Sequence, residues 1–116
     1  MAVGAVLVAT APAQAATAFT VSGTRTLHAA PYPEQLLPAF FAEDTVTRID
    51  YPAALFGMDK SIAVAVAGIT DAIGLTAGPI VVAGFSQGAV AVARVEQALM
   101  ALPEQDRPAP GRLSFV

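Results

Sequence analysis

The 116-residue chain has no cysteine, no tryptophan and one histidine, His28. Without thiols there are no disulfides and no thiolate metal sites. A single imidazole is too little for a zinc centre built on histidines. Basic residues are scarce and scattered: Arg25, Arg48, Lys60, Arg94, Arg107 and Arg112. They stand against nine acidic residues, giving a net charge of −3 and a pI of about 4.8. No basic stripe exists, so a nucleic-acid partner has no electrostatic footprint to meet. Charged residues make up only 13% of the chain. No metal or organic cofactor is implied.

What is abundant is apolar. Hydrophobic residues account for 55% of the sequence, and the mean hydropathy is +0.62. That excludes an intrinsically disordered chain and leaves little charge for an ordinary exposed surface. The length allows at most one small domain. Two sources of apolarity fit, and both apply: a targeting segment, and residues from the buried centre of a larger domain.

Residues 1–18 read MAVGAVLVATAPAQAATA. An apolar run from Val3 to Ala9 is followed by Pro12 and then Ala13-Gln14-Ala15. That order matches the apolar region and the A-x-A-like cleavage site of a secretory signal peptide. The run is too short to span a bilayer. No Lys or Arg precedes it, so either the true start lies upstream of Met1 or this is an Ala-rich apolar tail. The export reading divides the chain into a signal segment, 1–18, and a domain, 19–116, and places the mature protein outside the cytoplasm or in the cell envelope.

Hydrophobic period sets the remaining elements. Phe19–Ser22 is a short buried strand ending at Gly23-Thr24. Leu36, Leu37, Phe40 and Phe41 share helical spacing and predict an apolar helix face. Val46–Tyr51 alternates and stops at Pro52, as a second strand would. Met58–Leu75 is helical, with Ile62, Val66, Ile69 and Ile73 on one face and Asp59 or Ser61 as its cap. Ile80–Ala83 is a continuous apolar run suited to a central parallel strand. A helix from Gln87 to Leu102 follows, then the proline-rich connector around Glu104 and Asp106, then a strand from Leu113. Strands alternating with helices predict an α/β domain with a mostly parallel sheet of about four strands.

The stretch Ile80–Val90, IVVAGFSQGAV, carries the chemistry. In G-x-S-x-G a strand reverses sharply into a helix while the serine points outward. Gly84 and Gly88 remove side chains where strand and helix cross. Ser86 is then the nucleophile, and the free N–H of Gln87 at the helix start donates to an oxyanion. The five-residue pattern alone is weak; a buried strand before it and an apolar-faced helix after it strengthen it. A Gly-Ser turn with no chemistry is the plain alternative. Thr24, at the end of an earlier strand, is the second oxyanion donor or an ordinary turn residue. His28 precedes Ser86, whereas in this kind of site the acid and histidine follow the nucleophile. It reads as a loop histidine, and Asp106 as part of a solvated connector.

The combination of VSGT, IDYPAAL, the helix from Ser61, PIVVAGFSQGAVAVARV and RLSFV resembles the PE-PPE domain of mycobacterial proteins. That is a cutinase-like serine α/β-hydrolase family whose first loop is usually closer to GGT than the Ser22-Gly23-Thr24 found here. The resemblance implies an esterase or lipase-like acyl hydrolase, or an acyltransferase, acting on lipid esters. It implies Ser86 as nucleophile, Gln87 as oxyanion donor and Thr24 as a second donor. It also implies a partial α/β-hydrolase fold, truncated at the C-terminus, because the family's Asp and His follow the strand that begins at Leu113.

Two readings follow. In one, Ser86 belongs to a hydrolase whose proton-transfer partners are not among these residues, and the chain alone has little activity. In the other, the chain is a non-catalytic protein that binds a lipid or protein partner. An open final strand then predicts oligomerisation through the sheet edge.

Overall fold

A computed structural model describes residues 15–116. The signal-peptide reading falls almost wholly on residues outside that range. Four strands and three α-helices alternate: β1 (Thr17–Val21), α1 (Pro33–Leu36), β2 (Thr45–Arg48), α2 (Met58–Leu75), β3 (Ile80–Gly84), α3 (Gln87–Met100) and β4 (Leu113–Phe115). A single 3-10 turn, Glu104–Asp106, lies in the last connector. No helix among the described residues is long and apolar enough to cross a membrane.

The strands form one sheet in the order β2-β1-β3-β4, and every pairing is parallel. Parallel neighbours need long crossovers, and the helices supply them. The mostly parallel α/β fold with flanking helices is therefore the fold of this chain.

Alternate residues of the strands enter different cores. Phe19, Val21, Ile80 and Val82 pack with Ile62, Ala65, Ile69 and Ile73 of α2 and with Ala91, Val92 and Val95 of α3. Ala18 and Ala83 point to the other face and meet Phe41. A strand's period of two divides its side chains this way. Both long helices share one face because both of their crossovers step in the same direction across the sheet. The β1-to-β2 connection steps the opposite way and carries α1 to the other face.

The helical period of α2 behaves as its sequence dictates: Ile62, Ile69 and Ile73 are buried, and Val66 packs against them half-buried. Its cap differs from expectation. Neither Asp59 nor Ser61 caps the helix; Gly57 occupies the N-cap with φ 72° and ψ 36°. That left-handed conformation is free for glycine and strained for other residues. Ser61 is instead buried one turn inside the helix.

The apolar quartet at residues 36–41 is a second correction. The helix ends at Leu36, and turns fill residues 38–43. Pro38 removes an amide donor and disfavours helical geometry at Leu37. Only Phe41 becomes buried, while Leu36, Leu37 and Phe40 stay exposed.

Candidate active site

The direction of the crossovers reverses between β1 and β3. In an open parallel sheet this switch point leaves a crevice at the carboxyl ends of the strands, where ligands bind. Two loops meet there: Gly23-Thr24, leaving β1, and Phe85-Ser86, leaving β3. Their backbones are joined, since Phe85 N–H donates to the Val21 carbonyl at 3.0 Å.

Ser86 stands at the N-cap of α3 with φ 56° and ψ −116°. Of the described residues other than glycine, only Ala53 and Ser86 have positive φ. Such a backbone costs about 1–3 kcal/mol and persists only where its surroundings over-determine it. Two glycines permit the close approach. A Cβ on Gly84 would lie 2.5 Å from the Gly88 carbonyl carbon and 2.6 Å from the Ala89 nitrogen. A Cβ on Gly88 would lie 2.5 Å from the Ser22 carbonyl oxygen and 2.8 Å from the Val21 carbonyl carbon. The helix therefore starts directly over the ends of β3 and β1, with the Ser86 side chain exposed. Gly23 belongs to the same tight corner: a Cβ there would meet Phe85 Cδ2 at 2.9 Å and Ser86 Cβ at 3.1 Å.

Gln87, the first residue of α3, is 3% exposed, and its side chain points inward. Its Nε2 donates to Thr24 Oγ1 at 3.0 Å and to the Ala54 carbonyl at 3.1 Å. Its Oε1 accepts from Ser61 Oγ at 2.7 Å. Ser61 Oγ in turn accepts from Ala54 N–H at 3.0 Å. One amide group thus ties together the loop after β1, the loop after β2 and the first turn of α2.

The backbone amide of Gln87 is at a helix N-terminus, where no intrahelical acceptor exists. Among the described residues neither this N–H nor that of Thr24 has a backbone or side-chain acceptor, whereas Arg25 N–H is taken by the Ala53 carbonyl at 2.7 Å. The two free amides are those of residues joined through the Gln87 side chain.

Tyr51 anchors the floor. Its hydroxyl donates to the Ser22 carbonyl at 2.5 Å, and the ring is buried. Burial pushes the phenol above its ordinary pKa, and the bond to Ser22 opposes this only in part. The same carbonyl lies against Gly88, so Tyr51 fixes the oxygen over which the helix is laid.

His28 lies in an exposed bend, and its hydrogen bonds are local: Thr26 N–H and Thr26 Oγ1 both donate to its carbonyl at 3.3 Å. Asp106 and Glu104 are exposed in the connector. Neither His28 nor the connector carboxylates join the Ser86 cluster. Among the described residues no group of His, Cys, Asp or Glu could hold a metal.

A small apolar cavity of about 140 Å³ adjoins the corner, lined by Leu36, Leu37, Phe85 and Val116 among others. The structure brings Ser86, Gln87, Thr24 and the two glycines, each marked in the sequence, to one corner. The sequence did not mark the Gln87 side chain, Ser61 as its partner, or Tyr51. Ser61 and Gln87 are 26 residues apart, and nothing local marks the pair.

Searches among curated proteins and among solved structures found no match. The family model of the PE-PPE domain matches residues 23–116, from the glycine of the first loop through the whole of β4. Its span takes in both loops of the crevice and the corner at Ser86, and on that match the chain belongs to the PE-PPE domain family.

Proposed function

We propose that this chain carries the nucleophile and oxyanion site of a serine acyl hydrolase acting on lipid or short-chain esters. Ser86 Oγ adds to the ester carbonyl as a base takes its proton. The carbonyl oxygen becomes an oxyanion held by the N–H groups of Gln87 and Thr24. The alcohol leaves with a proton, and water releases the acid from the acyl-serine. A second alcohol in place of water makes the same step an acyl transfer. The observation that carries the reading is the backbone of Ser86, φ 56° and ψ −116°, between Gly84 and Gly88 at the head of α3. A strained serine on a strand-to-helix corner, beside a free amide at the positive end of a helix, is the arrangement acyl transfer needs.

His28 is not the base in this proposal; an imidazole from outside these 116 residues is. Without it the hydroxyl is a weak nucleophile, and activity of the chain alone is low. Export through the apolar opening segment and action at the cell envelope belong to the same proposal.

Chemical rescue tests it. The purified chain is given a p-nitrophenyl ester of butyrate with increasing imidazole, and Ser86→Ala serves as the reference for uncatalysed and imidazole-only hydrolysis. Turnover in the wild type rises above that reference as imidazole supplies the missing proton transfer, worth about 10²–10⁴ in a built site. Equal rates for wild type and Ser86→Ala at every imidazole concentration would leave the non-catalytic reading, which the exposed position of the single histidine favours. That reading takes the chain as a binding protein that associates through its open sheet edges.

A further inference from the structure

Two large side chains close to the Ser86 corner touch almost nothing. Leu27 is 98% exposed and Phe56 is 89% exposed. Leu27 sits at the apex of the bend 26–28, which Thr26 closes by donating its N–H and its Oγ1 to the His28 carbonyl at 3.3 Å. Phe56 stands immediately before Gly57, whose left-handed backbone starts α2. Defined turns therefore hold both tips out. Both loops are also tied to the head of α3. The Gln87 amide donates to Thr24 Oγ1 at 3.0 Å and to the Ala54 carbonyl at 3.1 Å. Arg25 N–H joins the loops by donating to the Ala53 carbonyl at 2.7 Å. Leu27 follows Thr24 by three residues and Phe56 follows Ala54 by two. Each tip thus starts within about 11 Å of a residue that Gln87 holds.

The stretches around the tips carry almost no charge. Residues 51–58, YPAALFGM, and 35–42, QLLPAFFA, have none, and residues 26–33 have only His28. Leu36, Leu37 and Phe85, which line one cavity at this end, add half-exposed apolar surface. The charges that border the face, Arg25 and Lys60 against Asp50 and Asp59, cancel. The far end of the sheet differs. Leu75 there is as exposed as Phe56, but Met100 and Leu102 stand beside exposed Glu104, Asp106 and Arg107, and Arg107 Nε donates to the Leu102 carbonyl at 2.9 Å.

We infer that Leu27 and Phe56 insert into a neutral lipid surface and seat the Ser86 corner on it. The occupant follows from shape and charge. Protein partners grip residues in closely packed, complementary surfaces, whereas an apolar side chain standing alone suits a fluid phase that closes around it. Large exposed apolar groups mark such contacts, and uncharged flanks leave little to desolvate on entry. A face whose charges cancel has no electrostatic pull toward anionic headgroups. The inference rests on the acyl-hydrolase reading, which puts the ester in that same phase.

The chain has no tryptophan, so a single added indole reports its own surroundings. Leu27→Trp and Phe56→Trp are mixed with phosphatidylcholine vesicles whose acyl chains are brominated. Both emissions shift to the blue and are quenched; Leu75→Trp, at the far end of the sheet, shows neither effect. In flotation with the same lipid, Leu27→Ser and Phe56→Ser each lower partitioning about tenfold, the scale of one apolar side chain left in water. Added salt does not weaken binding, since no charge drives it. Leu75→Trp responding as Phe56→Trp does would overturn the inference. So would binding that salt abolishes, or an emission already blue without vesicles, which means that protein covers the tip. The hydrolase reading fails separately. Equal turnover of soluble p-nitrophenyl butyrate by wild type and Ser86→Ala sinks that reading and leaves vesicle binding intact. Absent vesicle binding beside Ser86-dependent turnover sinks the docking alone.

Discussion

Ser86 is held by what its neighbours do not have. Gly84 and Gly88 are required because backbone atoms of Gly88 and Ala89, and of Val21 and Ser22, occupy the space a methyl group would need. Flexible side chains could yield there; paired backbone cannot. Gly84→Ala or Gly88→Ala should therefore destabilise the fold by at least the usual cost of overpacking, about 1–3 kcal/mol, read as a lower urea midpoint. Gly74 is the internal contrast. It lies in α2 with nothing within 4 Å of a Cβ, and Gly74→Ala should stabilise by about 0.5–1 kcal/mol. Ser86, Gln87 and the two glycines could be read from the sequence because G-x-S-x-G is a local pattern flanked by local periodicity. Ser61 could not. Its residue type and position at the start of a helix speak for capping, and only the packing of α2 against α3 turns its hydroxyl to Gln87.

The helices and strands divide between those set by their own period and those set by tertiary contact. Met58–Leu75 was legible to the residue, because an isoleucine stripe at helical spacing runs unbroken between Gly57 and the Gly78-Pro79 turn. The segment around Leu36–Phe41 has the same spacing but fails as a helix, because Pro38 interrupts it. The short α1 that remains is tied to the sheet by other means. Arg48 Nε donates to Glu34 Oε2 at 2.9 Å across the gap to β2, and its guanidinium lies 4.1 Å from the centre of the Tyr32 ring. Burial acts to raise the Glu34 pKa, but hydrogen bonds from Arg48 and its own backbone, with the Arg48 charge, hold it below the ordinary glutamate value. A carboxyl lowered in the folded state contributes stability above its unfolded pKa, about 4.3. That contribution is lost as pH falls through the lower folded value. Glu34→Gln should thus cost about 0.2–1 kcal/mol at pH 7, the range for a pair whose arginine is half exposed. The difference from wild type should shrink below about pH 4. Urea titrations at several pH values measure both.

The topology of the sheet places the proposed chemistry. Because β1 leads one way across the sheet and β3 the other, the carboxyl ends of these two interior strands lie at the switch point, and the loops that carry Thr24 and Ser86 pack against each other there. The alternation of strands and helices predicted a parallel sheet, but not which strands are central. Strand order depends on the direction of each crossover, and no local residue pattern encodes that. Large apolar side chains remain exposed on loops leaving the same end of the strands, Leu27 at 98% and Phe56 at 89%. The face of the sheet opposite the long helices is covered in part by Phe41 and α1. These features agree with the apolar ester substrate of the proposal. The most direct measurement is a crystal structure of the chain after reaction with ethyl p-nitrophenyl methylphosphonate in imidazole buffer. A phosphorus bonded to Ser86 Oγ, with its free oxygen about 3 Å from the backbone nitrogens of Gln87 and Thr24, is the predicted result. An adduct whose phosphoryl oxygen faces solvent, with both amides unengaged, would contradict it.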